Sequence, residues 1–231
     1  MENDKKLTED IIKYSKKIGI DIIGLADPKY YDKFSKINRP ERFLKDVKSV
    51  IIIGIHLYDI ILDAWSQDQK TGKSFHYLDS ILENRCYLII KYLAKKGFNS
   101  EIVPYNPGLY LKDSAALAGI GPIGKNNLLI TKEFGSQIRL RALVTNAPFI
   151  PGEPISESEY CLECNICHEA CPAKAFVKGK YVKEVCLSYN LTHLKKISKY
   201  TSIWCNVCIE SCPISKKSIK SSLQGYFTEE F

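Results

Sequence analysis

Long apolar runs are missing from this chain. Its most apolar stretch, residues 50–55 (VIIIGI), is far too short for a membrane helix, which needs roughly twenty such residues, and reads as a buried strand. No apolar core follows residues 1–6 (MENDKK), so no secretory signal is expected. A small, disulfide-stapled secreted domain is excluded on the same ground, and a cytoplasmic location without membrane association is expected. Histidine is scarce. Of the four, His56, His76 and His193 have no partner at metal-ligand spacing and read as structural or surface residues, and His168 reads as an exposed structural residue. Arginine is absent from residues 161–231, which carry ten lysines against six acidic residues, a local balance of +4.

What is present is ample for a core: 231 residues at 45% hydrophobic content suit one sizeable domain with a small appendage. The formal charge of +7 permits an acidic partner but is spread thinly. Cysteine is concentrated. Of nine, only Cys86 lies outside residues 161–212.

Residues 1–150 alternate helical and strand patterns. Thr8 is placed to cap a helix stopped by Gly19, and IDIIGLA then reads as a strand. A short helix around residues 41–46 precedes a strand over 49–57 that is apolar on both faces. Residues 76–96 recur with helical period up to Gly97, and Cys86 falls on the buried side as a core thiol. A strand over 101–105, a helix over 112–118 and a strand over 139–145 complete an α/β (α+β) layer. The Pro- and Glu-rich stretch 148–160 marks a boundary, giving domains 1–150 and 151–231. The second has little apolar pattern, so metal coordination is expected to hold it together.

Cys161-x2-Cys164-x2-Cys167-x3-Cys171-Pro172 matches the bacterial ferredoxin run for 4Fe–4S ligation, in which the fourth cysteine ligates the other cluster. Cys205-x2-Cys208-x3-Cys212-Pro213 is an abbreviated second run, and Cys186 supplies the missing ligand. The swap assigns Cys161, Cys164, Cys167 and Cys212 to cluster 1, and Cys171, Cys186, Cys205 and Cys208 to cluster 2. A ferredoxin-like domain with two clusters follows. Zinc would use the same thiolates, although zinc ribbons favour separated pairs over a CxxCxxC triple.

Two clusters beside a separate α/β domain imply electron transfer to something that domain binds. The Gly-rich loop 119–127 (GIGPIGKNN) is the candidate contact, through Gly121, Ile123, Gly124, Lys125 and Asn126; a tight packing turn is the competing explanation. It is no dinucleotide fingerprint, because a helix precedes it, and no P-loop, because the spacing and the Ser/Thr are absent.

Residues 112–149 (KDSAALAGIGPIGKNNLLITKEFGSQIRLRALVTNAPF), then CLECNICHEACPAKAF, CLSYNLTH and WCNVCIESCP, resemble the epoxyqueuosine reductase family in order and spacing. That resemblance implies cobalamin in the α/β domain, two 4Fe–4S clusters as its electron supply, an external donor such as ferredoxin or flavodoxin, relatedness to reductive dehalogenases, and tRNA as substrate. The family's proton-donating aspartate falls at Tyr105, a phenol whose ordinary pKa near ~10 makes it a weak acid. A buried strand-end tyrosine is the plain alternative; Asp113 is the nearest carboxylate after the turn and suits a helix start. The chain also ends without the helical-repeat extension of many members. Both departures weaken the tRNA expectation. The lysine groups 195, 196, 199 and 216, 217, 220 suit phosphate, though solvated surface explains them equally. With about −2 on each oxidised cluster and its thiolates, the chain's +7 falls to roughly +3. The expected activity is iron–sulfur oxidoreduction through both clusters to a bound cofactor; the alternative is a module that reduces a partner's corrinoid.

Overall fold

The computed structural model describes residues 4–67 and 74–215. In chain order these form α1 (Lys5–Lys17), β1 (Ile22–Ala26), β2 (Ser49–His56), β3 (Trp65–Gln67), β4 (Ser74–His76), α2 (Tyr77–Ala94), β5 (Ser100–Ile102), α3 (Leu111–Leu117) and β6 (Ile138–Thr145). The remainder holds α4 (Ile166–Glu169), β7 (Phe176–Val177), β8 (Lys180–Tyr181), α5 (Lys183–Thr192), β9 (Lys195–Lys196), β10 (Thr201–Ile203) and α6 (Val207–Glu210).

Two compact units interleave along the sequence. One comprises Met1–Ile55, Asp79–Pro122 and Leu140–Ser156; the other comprises His56–Leu78, Ile123–Arg139 and Glu157–Phe231. Composition suggests a single boundary between residues 150 and 151, whereas the chain passes between the units at several points, one of them inside the Gly-rich loop after Pro122.

The first unit is built on a four-stranded sheet of order β1-β2-β6-β5. β1 runs antiparallel to β2 with Leu25 opposite Ile51, and β5 antiparallel to β6 with Ile102 opposite Leu143. β2 is an inner strand, and Val50, Ile51, Ile52 and Ile53 are fully buried, which explains a run of β-branched residues without alternation. α2 contributes Leu82, Cys86, Ile89 and Leu93 at helical spacing, all fully buried, to a core shared with Leu7, Ile11 and Phe149. Burial of each such side chain stabilises by about 1.5–3 kcal/mol. Gly19 and Gly97 follow α1 and α2 with φ of +75° and +84°, the left-handed stop expected of them.

Three local expectations change. Asp4 caps α1, its carboxylate accepting from the Leu7 N–H at 2.9 Å, while Thr8 lies inside the helix and its Oγ accepts from the Ile150 N–H. The proposed helix at 41–46 is a single 3-10 turn, Pro40–Arg42. The fifth strand ends at Ile102, so Tyr105 lies beyond it.

The second unit carries a small sheet of order β4-β3-β10-β9, an antiparallel β7–β8 pair, and the short helices α4 and α6 packed together. Its β3, β4 and β10 strands have only three residues each, too few to display a period in the sequence.

Candidate functional site

α4 holds Cys167 and α6 holds Cys208, each one position after its helix start, so corresponding cysteines of the two runs occupy equivalent places. Cys161, Cys164, Cys167 and Cys212 line one cavity of about 120 Å³, together with Asn126, Ile130, Tyr160, Pro213 and Ile214. Burial pushes the Cys167 thiol up to about 11, and the neighbouring Cys161, Cys164 and Cys212 push it further in the same direction. The other four also meet. Burial raises Cys208 to about 12, with Cys205, Cys167, Cys186 and Cys171 adding to it; burial likewise raises Cys205, against a hydrogen bond from the Val207 backbone.

Protein N–H groups point at two of these sulfurs. The Ala175 N–H donates to Cys171 Sγ at 3.4 Å, and Asn190 Nδ2 donates to Cys186 Sγ at 3.4 Å. Asn190 is buried, and its Oδ1 accepts from the Cys205 N–H at 2.6 Å. Burial pushes the Tyr181 hydroxyl above its ordinary range, followed by its hydrogen bond with Cys186. Among the described residues no three His, Cys, Asp or Glu side chains close on a point as a single-ion site requires.

The Gly-rich loop contributes to this same unit from Ile123 onward. Lys125 Nζ donates to the Leu162 carbonyl at 3.2 Å and to Asn165 Oδ1 at 3.1 Å, and a ring nitrogen of His168 pairs with the Lys125 carbonyl at 2.9 Å. Asn126 is buried; it donates to Ser136 Oγ at 3.1 Å and faces the cysteine cavity. A Cβ on Gly124 would stand 2.3 Å from Ile130 Cδ1, so packing alone requires this glycine. Gly121 is buried and Ile123 half-buried, the latter bridging to Leu129. Sequence reasoning aimed the loop at a cofactor and missed its grip on the first cysteine run; a lysine flanked by asparagines carries no spacing signal for such a contact.

His168 is half-buried rather than exposed, stacked on Phe176 with centroids 4.2 Å apart. His56 is buried against Phe134 and Tyr58, His193 stacks on Tyr189, and Cys86 is a core thiol as expected. Tyr105 belongs to the first unit and is 41% exposed, not buried. Its hydroxyl donates to Asp79 Oδ1 at 2.7 Å, and the buried Arg141 guanidinium stands 3.9 Å over its ring. Asp113 sits in the first turn of α3, where the free backbone N–H groups favour a carboxylate. Lys216, Lys217 and Lys220 lie outside the described residues. Among those described, no helix is long and apolar enough to cross a membrane.

No protein-family model matches the chain. It is 26% identical to the epoxyqueuosine reductase of Atelocyanobacterium thalassa, over 96% of this chain and 85% of that protein. It is 27% identical to that of Bacillus subtilis, over 93% of this chain and 65% of that protein, so it spans about two thirds of the Bacillus relative's length. A stretch covering 46% of the chain is 32% identical to 23% of the tetrachloroethene reductive dehalogenase of Sulfurospirillum multivorans. Among solved structures, epoxyqueuosine reductase superposes with a TM-score of 0.71 at 23% identity, over 92% of this chain and 66% of that one. Its complex with an epoxyqueuosine-modified tRNA-Tyr stem loop gives 0.70 at 24%, over the same shares. A reductive dehalogenase described as B12-dependent gives 0.61 at 15%, over 95% of this chain and 34% of that one. The mixed α/β fold is thus that of epoxyqueuosine reductases, and the chain resembles them over most of its length.

Proposed function

We propose that this chain is an iron–sulfur oxidoreductase of the epoxyqueuosine reductase kind, with two 4Fe–4S clusters in the unit that contains residues 157–215. The observation that carries it is the framing of one cavity by Cys161, Cys164, Cys167 and Cys212, three thiols of the first run and the last of the second. A tetrathiolate zinc site would bring four sulfurs to about 2.3 Å from one point. Thiols that surround a volume suit a multi-atom cluster better. The residues fit such a group: four cysteines line one cavity, and N–H groups from Ala175 and Asn190 point at the sulfurs of Cys171 and Cys186 in the other set. Cys171, Cys186, Cys205 and Cys208 would hold the second cluster.

Clusters of this kind, when bound, store and pass single electrons. The chain's own part is to aim N–H groups from Ala175 and Asn190 at the sulfurs and to brace the first run through Lys125.

Cobalamin as the electron acceptor rests on the likeness to relatives. The space beside Gly124 is filled by Ile130, and the side chains of Lys125 and Asn126 are engaged within the cysteine unit, so these residues form no open cradle. Tyr105 is the proposed proton donor. Its Oη holds a proton against Asp79, and the Arg141 cation over the ring would stabilise the phenolate left behind. An epoxyqueuosine-bearing tRNA is the proposed substrate, and a ferredoxin or flavodoxin the electron source.

Anaerobic preparation with iron and sulfide tests the cluster assignment. About eight irons and eight sulfides per chain are expected. Two zincs with no sulfide would overturn it. Retention of added cobalamin, read from its visible spectrum, tests the acceptor separately.

A further inference from the structure

The strand β9 forms one edge of the second unit's sheet, and both its lysines, Lys195 and Lys196, are exposed. Lysine on an edge strand commonly prevents edge-to-edge association. That does not account for the neighbourhood. Lys199 is exposed in the following turn, between Ile197 and Tyr200, which stand 43% and 39% exposed. Apolar side chains set among like charges are the make-up of a protein-binding face, with a greasy centre and a steering rim.

The face leads to a thiol. Lys195 lines a cavity of about 200 Å³ whose wall also includes His193, Trp204, Cys205, Asn206 and a single carboxylate, Glu210. Cys205 belongs to the second set of four cysteines, so a partner seated here lies beside that cluster's ligand shell. Nucleic acid fits less well. Arginine, the usual backbone and base-edge donor, is absent from residues 161–231. The nearby rings are also occupied: Tyr189 and His193 stack on each other at 4.2 Å, and Lys199 lies 5.2 Å over Tyr200.

We propose that Lys195, Lys196 and Lys199, with Ile197 and Tyr200, form the docking surface for an acidic one-electron carrier protein bearing flavin or iron–sulfur. The proposal rests on the cluster assignment above. With a cluster bound, one electron would pass from the reduced carrier, oxidised by one unit, to the cluster that Cys205 would help to hold, and no bond or proton would be exchanged. The contact is small and transient, so its rate depends on charge steering and falls with salt.

The test compares the loaded chain with Lys195→Glu/Lys196→Glu/Lys199→Glu and with a control, Lys5→Glu/Lys6→Glu/Lys13→Glu, which makes the same net charge change on α1. Reduction by an acidic flavodoxin hydroquinone is followed by stopped-flow bleaching at low salt, and binding of the oxidised flavodoxin by calorimetry. The β9 variant should lose roughly tenfold or more in both rate and affinity, a difference that disappears at high salt, while the control and reduction of either variant by dithionite change less than about twofold. Equal losses in both variants, or none in the β9 variant, would overturn the docking surface while dithionite bleaching leaves the clusters standing. A β9 variant that loses only affinity for a tRNA stem loop would assign the face to RNA instead. A chain without iron and without dithionite bleaching fails at the cluster assignment and takes this proposal with it.

Discussion

Asn190 lies one helical turn beyond Cys186 on α5 and donates its side-chain amide to the Cys186 sulfur at 3.4 Å, while its carbonyl receives the Cys205 N–H at 2.6 Å. One buried amide thus joins two of the second set of thiols that lie nineteen positions apart in sequence. N–H groups directed at cluster sulfurs favour the more negative, reduced state and raise the potential. If the two proposed clusters are bound, Asn190→Leu should therefore shift one of their potentials downward and leave the other in place, measured by redox titration with electron paramagnetic resonance. It should also cost the protein about 1 kcal/mol, because the half-buried Cys205 N–H loses its acceptor. Equal movement of both potentials would assign Asn190 a merely structural part.

The Tyr105 hydroxyl is held by Asp79, from the first turn of α2, so the phenol and carboxylate act as a pair. If Tyr105 supplies the reaction proton, Tyr105→Phe should lower turnover by about 10²–10⁴-fold with cluster content unchanged. Asp79→Asn keeps a hydrogen-bond acceptor and removes the charge; it should lower turnover less and displace the pH profile. Turnover of Tyr105→Phe within about twofold of the parent would remove the phenol from the chemistry.

Much of this was readable from spacing. The ferredoxin spacing suggests grouping Cys161, Cys164 and Cys167 with Cys212 by a swapped ligand, and these four line one cavity; their part as cluster ligands is the proposal made above. The inner strand β2 was equally plain, since burial on both faces imposes a continuous apolar run. The loop 119–127 was not. Its glycines report only that something comes close, and at Gly124 a close neighbour is Ile130. The cap of α1 was misread because Asp4 and Thr8 are both acceptable caps, and only the chain's entry angle chooses between them. The interleaved units were invisible because β3 pairs with β10, and β4 with β3, through registers with no local signature.

Gly124 gives a test of the packing explanation for the loop. A methyl group there would meet Ile130 Cδ1 at 2.3 Å and Cγ1 at 2.9 Å, and Ile130 is buried with little room to yield. Gly124→Ala should destabilise the protein by about 1–3 kcal/mol. Ile130→Val removes the Cδ1 atom itself. In the double variant the two costs should combine to less than their sum by about 0.5 kcal/mol or more, read from denaturant unfolding of all four proteins. Strict additivity would mean that Gly124 is required by something other than Ile130.

Cys86 separates the core thiol from the eight proposed ligands. Burial pushes it up to about 12, partly opposed by Arg141 and assisted by Glu83, and the side chain is fully enclosed by the first unit's core. At pH 8 the folded, loaded chain should therefore show almost no thiol reactive toward a disulfide reagent, and all nine should appear after chelation and unfolding. The raised value also fixes a sign. Because the folded chain holds this proton more tightly than the unfolded one, the associated stability is complete below about pH 9 and declines as pH rises toward 12. Cys86→Ala should flatten that alkaline decline while lowering stability at neutral pH through the lost packing. One fast-reacting thiol in the loaded native protein, abolished by Cys86→Ala, would instead place Cys86 at an accessible surface.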